Sequence, residues 1–209
     1  MSATASAVQP GRSRIYVATS NAGKVAELHA LFAATRFELA LFPEYQSPAE
    51  GITSYTDNAA LKAHALHAVL RDRGCAENVL ADDSGLEVAA LDGRPGVITA
   101  DYGGAGLTWA ERRRVVLDEL AALGEVDRSA RFVCYLHFIA ADGTVTTAFG
   151  DVAGSIAADD RGASGFSFDP IFAYGPDGRT FAELTAEEKN AVSHRARAVA
   201  ELLERLGPA

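Results

Sequence analysis

The first regular pattern in the chain is a short apolar run that stops at a polar turn. Residues 15–18, IYVA, form the run, and residues 19–21, TSN, end it. Apolar residues then recur every three or four positions, which is the spacing of one helix face. They are Val25, Leu28, Leu31 and Phe32. The pattern predicts a strand, a tight polar turn and a helix.

Strand and helix patterns continue to alternate along the rest of the chain. Helical spacing covers residues 59–74, 108–123 and 185–206, and strand-like runs cover residues 78–91 and 131–156. The second strand-like run carries Asp142-Gly143 between its two arms, which predicts a β-hairpin. The order of elements predicts an α/β fold in which helices flank a mixed β-sheet.

Length and composition are those of an ordinary globular domain. The chain has 209 residues, of which 48% are hydrophobic and 22% are charged. We therefore expect one domain over residues 14–209. Residues 1–13 are small and polar and lack the apolar segment of a signal peptide, so we expect a flexible tail there. No stretch of the sequence is long enough to cross a membrane.

The net charge indicates the kind of partner, and the cysteine content indicates the cellular location. The net charge of -9 argues against nucleic acid, because a duplex-binding surface needs clustered Lys and Arg. The two cysteines, Cys75 and Cys134, lie far apart without metal-ligand spacing. Secreted scaffolds usually carry more cysteines, so a reducing cytoplasm is the expected location. A small-molecule ligand fits this composition best.

The polar turn at residues 19–24, TSNAGK, is a candidate phosphate site. The first backbone amides of a helix have no partner within it and lie at the positive end of the helix dipole. Thr19, Ser20 and Asn21 add side-chain donors, and Lys24 adds a positive charge. The alternative is a plain helix cap by Ser20 or Asn21, with Lys24 in solvent.

Adjacent carboxylates at Asp82 and Asp83 follow an apolar stretch and indicate a cation site. Neighbouring strand residues point to opposite faces, so one of the two should bind and the other support it. Mg²⁺ is the natural cation, because it takes one or two carboxylates and completes its shell with water and phosphate oxygens. Glu50 is a candidate second ligand. The alternative is a solvated turn closed by Ser84 and Gly85.

Later segments offer aromatic rings and cations that suit a nucleoside. Phe166 and Phe168 could stack on a base, although we expect at least one of them to pack in the core. The C-terminal helical segment concentrates polar groups at Lys189, His194 and Arg195. His194 and Arg195 share a face with Lys189 only if the helix breaks near Ser193. Without a break, this segment is a solvated charged face.

Together these segments carry a family resemblance. In order and spacing, TSNAGK, ADDSGLEV with LDGRPGV, GFSFDPIF and AELTAEEKNAVSHRARA resemble the non-canonical purine nucleoside triphosphate pyrophosphatases, the inosine/xanthosine triphosphatase family. The resemblance implies Mg²⁺-dependent hydrolysis of a (deoxy)nucleoside triphosphate to the monophosphate and pyrophosphate. It also implies a homodimer whose subunits have an elongated mixed sheet and a substrate cleft between two lobes.

The resemblance also assigns roles to residues. Asp83 is implied as the catalytic carboxylate and a metal ligand, with Glu50 and Asp82 completing the metal set. The implied substrate contacts run from the phosphate loop to the base: Thr19, Ser20, Asn21, Ala22, Gly23, Lys24, Lys62, Ser84, Phe166, Ser167, Phe168, Asp169, Lys189, His194 and Arg195. In this scheme Phe166 stacks on the purine, and Lys62 reaches a phosphate.

The sequence departs from the family pattern at Asp101, where the family usually has Arg, and at Ser167, where Gly is usual.

Two other functions remain open. A Maf-like nucleotide pyrophosphatase would prefer other bases, and the SHR and GFSFDP segments argue against it. A regulator that binds nucleotides without hydrolysis would not need Glu50, Asp82 and Asp83.

Overall fold

The structure is a computed structural model that describes residues 11–208. The first ten residues of the predicted tail lie outside the described residues. The first strand begins at Ser13, and Arg12 Nη2 donates to the Phe32 carbonyl at 3.1 Å. The predicted domain bounds, residues 14–209, stay a prediction.

Seven strands form one mixed sheet. They are β1 Ser13–Val17, β2 Phe37–Leu41, β3 Asn78–Val88, β4 Ser129–Ile139, β5 Val145–Ile156, β6 Phe172–Tyr174 and β7 Arg179–Thr180. Their order across the sheet is β2-β1-β3-β4-β5-β6-β7. β1 runs parallel to β2 and β3, and every later pair is antiparallel. The predicted mixed sheet and the β4–β5 hairpin are confirmed.

Within the described part of the chain, five α-helices accompany the sheet. They are α1 Ala22–Phe32, α2 Tyr55–Asp72, α3 Trp109–Leu123, α4 Ala186–Val192 and α5 His194–Arg205. Capping boxes begin α3 at Thr108 and α4 at Thr185. Among residues 11–208, no helix combines the length and the hydropathy needed to span a membrane.

The helices cover both faces of the sheet. Leu80 of β3 packs with α1 and α5, whereas its neighbours Val79 and Ala81 pack with α2. This alternation follows from the two-residue period of a strand, which sends adjacent side chains to opposite faces. A third apolar cluster joins α3 to the far ends of β4 and β5. The division into two lobes stays a prediction.

The C-terminal helical segment differs from a single continuous helix. Ser193 ends α4 and begins α5, with φ -66° and ψ 157°. Its hydroxyl accepts a hydrogen bond from the Ala196 amide at 3.2 Å and so caps α5. The break lies directly before His194 and Arg195, and both of these side chains are buried.

Candidate active site

A cavity of about 390 Å³ brings together most of the predicted site residues. Its walls come from the turn after β1, from α2 and β3, from the loop before β6 and from the α4–α5 junction. The predicted residues that line it are Thr19, Ser20, Asn21, Lys24, Glu50, Lys62, Asp83, Ser84, Phe166, Ser167, Asp169, Lys189, His194 and Arg195. Ala22, Gly23, Asp82 and Phe168 do not line it.

The turn after β1 both caps α1 and faces the cavity. Asn21 is the N-cap residue, and its Oδ1 accepts a hydrogen bond from the Lys24 amide at 3.1 Å. Thr19 Oγ1 accepts one from the Asn21 amide at 3.2 Å. The two sequence alternatives for this segment, helix cap and phosphate site, are therefore compatible. The turn is ordered by its own side chains and presents the start of α1 to the cavity.

Gly23 lies against the ring of Phe166 rather than in the cavity wall. A Cβ placed on Gly23 would come within 2.6 Å of Phe166 Cγ, a distance that real Cβ atoms do not reach. Only glycine allows this close approach of the helix backbone to the ring. The turn after β1 and the aromatic ring are thus in direct contact, although 143 residues separate them in the sequence.

Asp82 lies at the centre of a buried charge network. Its carboxylate pairs with Lys24 and, at 2.9 Å, with Arg195 Nε, and the Cys134 thiol donates to it at 3.0 Å. Burial alone would raise the pKa of Asp82, but Arg195 and Lys24 hold the pKa well below its usual range. Asp82 is a buried anion whose oxygens contact two cations, and its place among the metal ligands stays a prediction.

Asp83 faces the other side of β3 and reaches the cavity. Lys62 Nζ of α2 donates to Asp83 Oδ1 and to Glu50 Oε2, in both cases at 2.9 Å. Asn58 Nδ2 donates to Asp83 Oδ2 at 3.3 Å. Burial raises the pKa of Asp83 to about 6, and the nearby Lys62 and Lys24 charges only partly offset that rise.

Glu50 and Asp83 fit a magnesium site. Residues 11–208 contain no cluster of three or more His, Cys, Asp and Glu side chains arranged as metal ligands. Mg²⁺ needs only one or two protein carboxylates, because water and phosphate oxygens fill its other positions. Glu50 and Asp83 already converge on one cation, the Lys62 ammonium. This pair of hard oxygen donors is of the kind that Mg²⁺ prefers.

Residues 165–169 form the base loop, which is held from within by Asp169. Asp169 Oδ2 accepts a hydrogen bond from the Phe166 amide at 2.7 Å, and it forms an ion pair with Lys189. Lys189 Nζ lies 4.9 Å from the centroid of the Phe166 ring, within range of a cation–π contact. These contacts hold the ring of Phe166 at the cavity wall, and its stacking on a base stays a prediction.

Phe168 packs in the core and is not a cavity residue. It is completely buried, and its ring meets that of Trp109 edge to face, with centroids 5.7 Å apart. Ser167, between the two phenylalanines, has a φ of 60°. This left-handed residue reverses the backbone, so that Phe166 and Phe168 point in different directions. The expectation that at least one of the two rings packs in the core is confirmed, and a substrate contact of Phe168 stays a prediction.

The α4–α5 junction turns three polar side chains inward. Lys189, His194 and Arg195 are 5%, 4% and 1% exposed, so the solvated-face alternative is wrong. Arg195 donates through Nε to Asp82, through Nη1 to Glu27 and through Nη2 to Ser84 Oγ at 3.0 Å. A guanidinium has five N–H donors, so these contacts leave donors of Arg195 for a ligand.

The surroundings of His194 favour the neutral form of its imidazole ring. Its ring stacks on Phe132 with centroids 4.8 Å apart, and its Nδ1 is buried without a hydrogen-bond partner among the described residues. Burial, together with the Arg195 and Lys189 charges, holds the pKa of His194 well below its usual range. Buried ring nitrogens usually have a hydrogen-bond partner, and His194 is also one of the residues that line the cavity.

Comparison with protein families matches residues 15–205 to the Ham1 family. The chain belongs to the Ham1 family. It is 42% identical to the dITP/XTP pyrophosphatase of Deinococcus deserti over 191 residues, which are 90% of this chain and 87% of that protein. The match covers the whole candidate site, and it favours this family over the Maf-like alternative.

Solved Ham1 structures have the same fold. The Coxiella burnetii HAM1 protein superposes with a TM-score of 0.79 at 36% identity, covering 94% of this chain and 100% of that one. A nucleoside-triphosphatase / dITP/XTP pyrophosphatase from Mycobacterium abscessus gives a TM-score of 0.68 at 37% identity, covering 92% and 99%. The predicted α/β class is therefore confirmed by structure as well as by sequence.

Several residues of this Ham1 site were not predicted from the sequence. Glu27 joins Lys189 to Arg195, and it lies one helical turn after Lys24, a spacing that could have indicated it. Cys134 and Asn58 contact the two aspartates from other elements. Trp109 lines the cavity from α3. These last contacts depend on tertiary packing, and no local sequence signal identifies them.

Proposed function

We propose that this chain hydrolyses non-canonical purine nucleoside triphosphates, dITP or ITP and XTP, to the monophosphate and pyrophosphate with Mg²⁺, and so cleanses the nucleotide pool. One observation carries the proposal. Glu50 and Asp83 both contact the Lys62 ammonium in a cavity that the turn after β1 and the ring of Phe166 also line. The names of the curated Ham1 relatives agree with this activity.

Asp83 is the proposed general base. A carboxylate whose pKa burial raises to about 6 is mostly ionised at neutral pH and can still accept a proton from an attacking water. Glu50 and Asp83 would hold Mg²⁺, which supplies charge neutralisation and polarises the phosphate that is attacked. Asn58 orients Asp83 by donating to its second oxygen.

The turn after β1 is the proposed triphosphate site. Thr19, Ser20, Asn21 and Lys24 lie on one wall of the cavity, at the N-terminus of α1. Amides at a helix N-terminus and a nearby cation favour an anion without any movement of the backbone. Lys62, on the wall beside Asp83, supplies a second cation for phosphate oxygens.

The base would lie between Phe166 and the polar groups of the α4–α5 junction. Arg195 and Lys189 bring N–H donors to this part of the cavity, and a 6-keto oxygen accepts such donors. The 6-amino group of adenine presents a donor there instead, which would leave buried donors unpaired. We therefore expect inosine and xanthosine nucleotides to be preferred over adenosine nucleotides.

One assay tests this function. The protein is incubated with ITP, dITP, XTP, ATP, GTP, CTP and UTP, with Mg²⁺ or with EDTA, and pyrophosphate and orthophosphate are both measured. We expect pyrophosphate from ITP, dITP and XTP only in the presence of Mg²⁺. Orthophosphate as the sole product would contradict the proposed bond cleavage. Binding of ITP without turnover would favour the non-hydrolysing regulator.

We also propose a homodimer formed through the outer face of β5. Phe149 is 37% exposed and Val145 45%, and Tyr135 of β4 packs beside Phe149 with ring centroids 4.7 Å apart. Exposed apolar side chains of this kind favour a protein partner. Analytical ultracentrifugation of the wild type and Phe149→Glu tests the homodimer, because a charge on this face should give a monomer.

We propose the cytoplasm as the location of the protein, because Cys75 and Cys134 are both free thiols.

A further inference from the structure

We propose that Arg113 of α3 is a positioning residue that fixes the base loop and thereby sets the affinity for the purine. The proposal rests on the proposed function, because it assigns a purine to the cavity beside Phe166. Arg113 does not line the cavity and is not a catalytic residue. It acts through the backbone of Ser167, which is the next residue after the stacking ring.

Arg113 links two points of the chain between β5 and β6. Its Nη1 donates to the Ser167 carbonyl at 2.8 Å, and its Nε donates to Asp160 Oδ2 at 2.7 Å. Its Nη2 also lies 2.7 Å from Asp160 Oδ2, and the side chain is only 13% exposed. A planar guanidinium that is held by a carboxylate has little rotational freedom, so its remaining N–H group is well placed to fix a carbonyl.

The carbonyl that Arg113 fixes belongs to the strained residue of the base loop. Ser167 has a φ of 60°, a region that residues with a Cβ avoid. A strained residue persists where its surroundings over-determine it. The Arg113 hydrogen bond is one such constraint, and the burial of Phe168 against Trp109 on the same helix is another. The first turns of α3 therefore hold both sides of the left-handed residue.

The helix that carries Arg113 is itself firmly anchored. A capping box at Thr108 and Glu111 begins it, and Val116 and Leu120 are completely buried in the apolar cluster that includes Phe168. A rigid helix makes a suitable platform for a loop that has to present an aromatic ring. Loss of Arg113 should therefore loosen the base loop without unfolding α3.

The consequence concerns the base half of the site and not the phosphate half. Glu50, Asp83 and Lys62 make no hydrogen bond or ion pair with Arg113 or Asp160 among the contacts of the described residues. Looser stacking weakens the ground state and the transition state together, since the base is not the reacting part. Substitution of Arg113 should raise KM and leave kcat nearly unchanged.

The decisive comparison is Arg113→Met against Arg114→Met. Methionine keeps the aliphatic stem and removes the guanidinium, and Arg114 is the adjacent arginine of α3, 66% exposed and placed only near Asp118. Loss of well-ordered stacking should raise KM for ITP about tenfold in Arg113→Met, with kcat within about twofold of the wild type. Arg114→Met should match the wild type in both constants.

Binding is measured separately from turnover. Trp109 is the single tryptophan of the chain and lines the cavity, so its fluorescence reports IMP binding directly. The Kd for IMP should rise about tenfold in Arg113→Met, whereas inhibition by inorganic tripolyphosphate should stay within about twofold of the wild type. Asp160→Asn, at a half-exposed position, should give a smaller loss in the same direction and serves as a second variant if Arg113→Met folds poorly.

Equal KM values in Arg113→Met and Arg114→Met would overturn the proposal. Equal weakening of IMP and tripolyphosphate would also overturn it, because that result indicates a general structural role. A wild-type protein that binds IMP but does not hydrolyse ITP would overturn the proposed function only. The IMP titrations of the two arginine variants would still decide the role of Arg113.

Discussion

Asp82 and Asp83 are adjacent in β3, yet their carboxylates have opposite environments. Asp82 pairs with Lys24 and Arg195 behind the cavity wall, and its pKa lies well below its usual range. Asp83 faces the cavity, and burial raises its pKa to about 6. The period of the strand therefore places one carboxylate behind the cavity wall and the other in the cavity.

The first prediction follows from that separation. Asp83→Asn keeps the shape of the side chain but removes the charge that holds Mg²⁺ and accepts a proton. We expect turnover of ITP to fall about 10²-fold or more. The Kd for IMP, measured by Trp109 fluorescence, should change much less, because the base loop is intact.

The matched control is Asp82→Asn. This change leaves Arg195 and Lys24 without their buried partner, which typically costs about 3–5 kcal/mol of unfolding free energy. We expect the free energy of unfolding, measured by urea denaturation, to fall strongly in Asp82→Asn and only slightly in Asp83→Asn. A variant pair with the reverse pattern, an inactive but stable Asp82→Asn and an active Asp83→Asn, would exchange the two roles.

The second prediction concerns the phosphate wall. Lys24→Met removes the ammonium beside the turn after β1 and keeps the stem of the side chain. A lost charge-assisted contact should weaken binding of tripolyphosphate about 10- to 100-fold and that of IMP far less. Isothermal titration calorimetry measures both. Equal weakening of the two ligands would indicate that Lys24 acts only by balancing the charge of Asp82.

The sequence predicts the elements that have a strong local signal. The apolar run before Thr19 gives β1, Asp142-Gly143 gives the β4–β5 hairpin, and the Thr108 capping box begins α3. Each of these depends on neighbours within a few residues, which is the range that a pattern reports. The phosphate turn is predictable for the same reason, since Asn21 caps the helix that follows it.

Other features depend on partners that are distant in the sequence. The sequence predicts a strand-like run through Asp82 and Asp83, but it does not identify the cations that pair with them, which are Arg195 for Asp82 and Lys62 for Asp83. The choice between Phe166 and Phe168 as the stacking ring depends on the left-handed Ser167, and no periodicity indicates that conformation. Tertiary packing, and not local propensity, decides these points.

The third prediction uses the contact between α1 and the base loop. In Gly23→Ala the new Cβ would lie 2.6 Å from Phe166 Cγ if nothing moved. The Phe166 ring would therefore be displaced. We expect KM for ITP to rise about tenfold, as expected for lost stacking. In a Phe166→Ala background the same change should have little further effect, because the two residues act through one contact. Additive losses in kcat/KM would contradict this.

The fourth prediction is a pH dependence of stability that comes from His194. Burial, with the Arg195 and Lys189 charges, holds the folded pKa of His194 well below its usual range, whereas an unfolded histidine titrates near 6.5. As the pH falls below about 6.5, the unfolded chain therefore binds a proton that the folded chain does not. Protonation favours the unfolded state, so the free energy of unfolding should decrease with falling pH.

Comparison with His194→Gln isolates this effect from other titrating groups. The raised pKa of Asp83 acts in the opposite direction, because its protonation favours the folded state as the pH falls through about 6. That contribution is common to both proteins and cancels in the difference. The stability of the wild type relative to His194→Gln should therefore fall by about 1.4 kcal/mol per pH unit below about pH 6, as measured by urea denaturation between pH 5 and pH 8. Parallel curves over this range would contradict the prediction, because they would mean that His194 has the same pKa in the folded and the unfolded protein.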